Sequence, residues 1–157
     1  MAFTGNFMST SFKKALLDGE MDFSANTGMT FNLALFTNSA SLTAATTSYA
    51  SVAGAGNGEV AAAGNYDLGG KALTISQAPT STGAGTTVFL SFASRTWAAS
   101  TITARGGLIY RSSGANTNTA VAVLDFLADK SSSNGTFEVQ FPANNQTSAI
   151  IRIETPS

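Results

Sequence analysis

The sequence predicts an all-β domain, a β-sandwich or jelly-roll-like barrel, with one short N-terminal helix. Three observations predict it. Runs of alternating apolar and polar residues recur at roughly 8–15-residue intervals. Polar, turn-forming stretches such as SSGANTN, KSSSNG and ANNQTS separate them. Only one segment has helical rather than two-residue spacing. With 157 residues, 43% of them hydrophobic, the chain is large enough for one domain with a buried core.

The helix is read over SFKKALLDG. Ser11 is the candidate N-cap and Gly19 the residue that ends it. Phe12, Ala15 and Leu16 share one face, and Lys13 and Lys14 point outward. About two turns of helix do not stand alone in water, so this one must dock on something. Residues 1–19 are read as an N-terminal arm plus this helix. Glu20 and Asp22 follow, an acidic pair beside the two lysines. They are either a solvated surface or part of an arm that contacts a neighbouring subunit.

Strands follow in order. FNLALF places Phe31, Leu33 and Leu35 on one side. Residues 37–70 form a long Ala/Ser/Thr/Gly-rich insertion, read as loop with at most a short strand near residues 48–52. Loops of this length are often functional or assembly segments. Residues 72–76 (ALTIS) and 86–92 (TTVFLSF) are strands. Residues 119–126 are apolar on both faces and predict a central strand. Residues 135–142 alternate, with Phe137, Val139 and Phe141 inward and Glu138 and Gln140 outward. Residues 149–154 close the sheet.

The segment STITARGGLIYRSSG puts Arg105 and a glycine pair inside an otherwise regular strand. One long strand bent at the glycines is preferred to a hairpin turning on Arg105-Gly106-Gly107. An unbroken alternation then places Ile102, Ala104, Gly106, Leu108 and Tyr110 on one side, and Arg105 with Ile109 on the other. A buried Arg105 needs a carboxylate, and Asp125 on the next strand is the expected partner of this ion pair.

Composition excludes several chemistries. The chain has no Cys and no His. Disulfides, Cys/His zinc sites, thiolate nucleophiles and histidine acid–base catalysis are therefore out. Charged residues make up 11% with a net charge of −1, against about 25% in ordinary domains. Without clustered Lys and Arg, nucleic acid is not an expected partner. No apolar run reaches the roughly 18 residues of a membrane helix, and the N-terminus has no signal-like apolar run.

The individual motifs read as structure. GAGNG (residues 54–58) has neither the spacing nor the helix of a phosphate loop. Asp125 and Asp129 form either a cation or acid–base pair, or a strand-end and a turn aspartate; the second reading is preferred. Trp97 is either an aromatic sugar platform or an edge residue of the sandwich core, and again the structural reading is preferred. No catalytic, cofactor-binding or metal-ligating residue is assigned.

The segments MAFTGNFMSTSFKKALLDG, TFNLALFTNSASL, LGGKALT, TITARGGLIYR, AVAVLDFLADKSSSNGTFEVQFP and AIIRIET resemble a family of small structural proteins of tailed bacteriophages, nearly end to end. The stretch TTSYASVAGAGNGEVAAAGNYDLGG is longer and more Ala-rich than that family's habit. The resemblance implies a virion protein with no enzymatic activity. The favoured function is a capsid decoration, or cement, protein that bridges capsomers. Its partners would be the major capsid protein and copies of itself, as a trimer. The alternative is a tail component: a fibre, collar or receptor-binding module that contacts other tail or head proteins. A polysaccharide-degrading enzyme using Asp125 is the remote third. The arm (residues 2–17) and residues 41–70 are expected to make the subunit contacts, with Phe3, Phe7, Phe12, Lys13, Lys14, Tyr49 and Tyr66 as the contact residues. On this reading, deleting residues 2–14 leaves a folded β domain that no longer assembles.

Overall fold

A computed structural model describes residues 3, 5–25, 28–82 and 85–155. Met1, Ala2 and Thr4 of the expected arm lie outside the described residues. The elements are β1 (Phe7–Met8), α1 (Thr10–Leu17), β2 (Phe31–Phe36), β3 (Lys71–Leu73), β4 (Ile75–Ser81), β5 (Thr87–Phe92), β6 (Arg95–Arg111), β7 (Ala120–Val139) and β8 (Ile151–Glu154). They form two antiparallel sheets, one ordered β1-β7-β6-β2-β3 and the other β4-β5-β8. The fold is an all-β sandwich with one short helix, as the alternation predicts.

The larger sheet is covered on both faces. On one side Phe31, Leu33 and Leu35 of β2, with Ile102 and Ile109 of β6, meet Leu90 and Phe92 of the small sheet and Phe12 of α1. On the other, Ala34, Phe36, Leu108 and Tyr110 pack under Phe3, Ala40 and Leu42. This second layer explains why β2 and the start of β7 are apolar on both faces.

Segment 37–70 holds no strand between β2 and β3, as the loop-rich reading expects, yet it packs on the core: Ala40 and Leu42 cover the second face, and Val60 and Tyr66 join the first. Its course is set by isolated bridges, Phe36 to Glu59 and Ser48 to Thr119, and by 3₁₀ turns at Tyr49–Ser51 and Ala55–Asn57. The strand expected near residues 48–52 is one of those bridges followed by one of those turns. Sequence periodicity missed the layer because it buries scattered residues (Leu42, Val60, Tyr66) between turns, with no regular repeat to find.

The helix is capped two residues earlier than expected. Ser9, not Ser11, is the N-cap: its backbone is extended and its Oγ accepts from Phe12 N at 3.2 Å. Ser11 instead donates to Ala120 O at 3.0 Å and ties the helix to β7. At the other end Gly19, with φ +71°, sits where expected. Its N–H bonds Leu16 O, and the Glu20 N–H reaches Ala15 O, which is a Schellman closure. Phe12 is fully buried and Ala15 nearly so. With β1 paired to β7, the described part of residues 1–19 is integral to the fold and is not a detached arm.

Two strand boundaries also differ. The run 72–76 breaks at Thr74, and its halves enter different sheets as β3 and β4. Conversely, most of the runs 119–126 and 135–142 is joined in one strand, β7, which ends at Val139 and pairs with β6 along almost its whole length. The polar KSSSNG that reads as a turn is the solvent-facing middle of β7.

The strand expected over residues 100–110 is a single strand, as preferred, but it starts earlier, as β6 over Arg95–Arg111, and its alternation slips. Ala104 pairs with Lys130 and Gly106 with Asp125, so residues 126–129 of β7 bulge out opposite Arg105 alone. Ile102 and Ala104 face the first core, while Leu108 and Tyr110 face the second, and Ile109 is buried in the first. An unbroken period therefore fails at Arg105, because a bulge moves the following side chains to the other face. Further bulges at Ala99 and Asn134, both with positive φ, twist the far half of this hairpin and blunt its open edge.

Candidate functional site

Polar groups that sequence spacing scatters are gathered at two places. The first is a buried carboxylate. Glu59 is 2% exposed. Its Oε1 accepts from Gly69 N at 2.7 Å and Tyr66 Oη at 3.1 Å. Its Oε2 accepts from Gly54 N at 2.7 Å and Tyr49 Oη at 2.9 Å. Tyr110 stacks on Tyr49 with centroids 4.2 Å apart, and donates to Gly69 O at 2.9 Å. All 3 tyrosines of the chain therefore meet around one acid. Burial, above all, pushes the phenols of Tyr49, Tyr66 and Tyr110 above their ordinary value, and the adjacent Glu59 charge adds to it. The glycine-rich GAGNG turn is the far wall of this cluster: it lends a backbone N–H to a carboxylate of its own chain. The sequence signal for this site was a lone acid inside an Ala/Gly segment, which alternation does not detect.

The second is the bulge. Arg105 Nε lies 3.4 Å from Asp125 Oδ1, and its Nη1 lies 3.5 Å from Asp129 Oδ1. The expected Arg105–Asp125 pair is thus present, with a second aspartate added. It is only partly buried, since the Arg105 side chain is 31% exposed. Asp125 Oδ1 also accepts from Leu127 N at 2.8 Å, and Asn38 donates to Asp129 at 3.1 Å. The cation spans the two ends of the bulge and holds it closed. With both aspartates occupied in this way, the geometry is that of a staple. Among the described residues no group of three or more metal-ligating side chains forms.

The expected contact residues, by contrast, are divided by the structure. Phe3, Phe12 and Tyr66 are buried inside their own chain at 6%, 0% and 1% exposure. They are corrected from contact residues to core residues, because their apolar surface is already covered. Phe7 and Tyr49 are half-buried against the second core. Lys13 and Lys14 are exposed, and Lys14 pairs with Asp18 one turn on. Trp97 is fully buried between Tyr66 and Phe137, so it offers no sugar platform.

What the surface presents is weakly charged and divided in character. The outer side of the β6–β7 hairpin carries exposed hydroxyls, with Thr103 and Ser131 bonded at 2.9 Å and Thr101 accepting from Asn134 N. Elsewhere an apolar groove of about 290 Å³ opens between α1, the segment after it and the small sheet. Comparison with protein-family models, with curated proteins and with solved structures finds no match for this chain.

Proposed function

We propose that this chain is a structural component of a bacteriophage particle, a capsid decoration protein that binds where capsomers meet and holds them together. The phage assignment rests on the resemblance of the sequence segments. The observation that supports a structural role is how the charged groups are used. Glu59 takes four donors from its own chain. Arg105 closes a bulge. The buried Arg111 donates to the Ser113 and Glu20 carbonyls. These groups serve the chain's own fold, and the exterior combines a few charges with hydroxyls and apolar patches suited to broad packing. Such a protein works by area: a standard contact buries roughly 1,600 Å², and a shell repeats it many times.

The test is the number of copies in purified particles, by quantitative gel. A decoration protein is present in proportion to capsomers, and particles lacking it break at lower temperature. A few to a dozen copies per particle would instead place the chain in the tail and overturn the decoration reading.

A further inference from the structure

We infer that the α1 end of the molecule is a self-association surface, on which Leu17 of one copy inserts into the apolar groove of a second copy across a two-fold axis. The inference stands on this surface alone, not on the virion reading.

Leu17 is 90% exposed, the most exposed large apolar side chain among the described residues. A single exposed leucine is ordinary. This one stands next to Leu16, which lines the groove together with Met21, Val88, Leu90 and Ile153. Val88 and Ile153 at the groove's rim are themselves 46% and 54% exposed and directly paired across β5 and β8. Leu17 and the groove-lining Leu16 are consecutive in α1, about 100° apart around its axis, so knob and hole lie on adjoining sides of the same helix. When a knob enters a partner's groove, the partner's own knob lies over the first copy's groove. That is the isologous arrangement, and it closes at two copies. A two-fold pair differs from the trimer that the sequence resemblance implies.

Charge identifies the occupant as a copy of the same chain. Asp22 is the groove's one charged lining residue. Lys13 lies four residues before Leu17, on the same helical face. Its side-chain ammonium has no hydrogen bond or ion pair among the described residues, unlike that of Lys14, which Asp18 holds. Seating Leu17 in the partner's groove brings the partner's Asp22 toward Lys13, and the two-fold axis repeats the pair.

Sedimentation equilibrium on the full chain, from micromolar to several hundred micromolar, tests this. A reversible monomer–dimer equilibrium is expected. Leu17→Gln, which keeps a helix-forming residue, should weaken it at least tenfold with an unchanged circular dichroism spectrum. Ile153→Lys at the groove rim should do the same from the other side, and serves if the first variant does not fold. Lys13→Gln and Asp22→Asn should each weaken association a few-fold, and the double variant should be no weaker than either, as for one coupled pair. A wild-type monomer throughout the range overturns the proposal. So does an oligomer that survives Leu17→Gln in the folded protein, or a trimer. Particle copy number decides the virion reading separately.

Discussion

Replacing Glu59 tests whether the second covering layer is organised by one acid. In Glu59→Ala the Gly54 and Gly69 N–H groups lose acceptors that sit 2.7 Å away. Gly69 is buried and Gly54 partly so, and a buried donor left without a partner costs about 1–3 kcal/mol. The two tyrosines lose less. Tyr66 Oη keeps Leu35 O at 3.3 Å, and Tyr49 is half-exposed and can turn to solvent. The sum is a loss of about 3–5 kcal/mol, a large part of the 5–15 kcal/mol that holds a domain together. Glu59→Gln keeps the shape and one acceptor oxygen, but turns an amide N–H₂ toward two donors. It should cost about 2 kcal/mol. Urea unfolding followed by Trp97 fluorescence reads both, because that indole packs against Tyr66. The midpoints should fall in the order wild type, Gln, Ala with an unchanged slope. An alanine variant within about 1 kcal/mol of wild type would refute the reasoning: the layer would then be held by its apolar residues alone.

Three further outcomes follow from the same geometry. The tyrosines' folded pKa values lie above the ordinary value of 10.0, so the stability they represent is complete below about pH 10 and is lost as pH rises through the folded values. Phenolate absorbance should stay absent past pH 10 and appear together with unfolding; a tyrosine titrating near pH 10 in the folded protein would contradict the burial. Gly106→Ala places its Cβ 2.2 Å from Leu124 O, which is backbone, whereas at Gly107 the nearest atom is the movable Leu33 Cδ1 at 2.8 Å. Thermal melts should show Gly106→Ala losing at least about 2 kcal/mol and Gly107→Ala clearly less; equal losses would count against the close β6–β7 approach. Phe12→Ala should cost about 3–5 kcal/mol, and deletion of residues 2–14 should give an unfolded chain by circular dichroism. A folded, native-like truncation would restore the detached arm.

Much of the fold was legible because alternation and capping are local. FNLALF had to be a strand with Phe31 and Leu33 together, and the Gly19 stop needed only a residue at ease with positive φ. The long strand through Arg105 was also read correctly, although the unbroken alternation that favoured it does not hold: Ile102 and Ala104 face one core, Leu108 and Tyr110 the other. The slip at Arg105 was not. It depends on four residues of β7 standing opposite one of β6, and pairing register belongs to two strands at once. The same limit hid the unity of β7: its middle is polar because it faces water, and in one dimension that cannot be told from a turn.

By itself the sequence determined an all-β sandwich with one docked helix, the lack of cysteine and histidine chemistry, and the pairing of Arg105 with an acid on its neighbour. These follow from composition and short-range periodicity, which need no knowledge of what lies across the core. Tertiary structure alone decided that segment 37–70 covers the sheet, that Glu59 gathers three tyrosines, and that Phe12 and Tyr66 are core while Leu17 is not. Those outcomes depend on contacts between residues tens of positions apart. Burial and hydrogen-bond satisfaction are fixed only when both partners are in place.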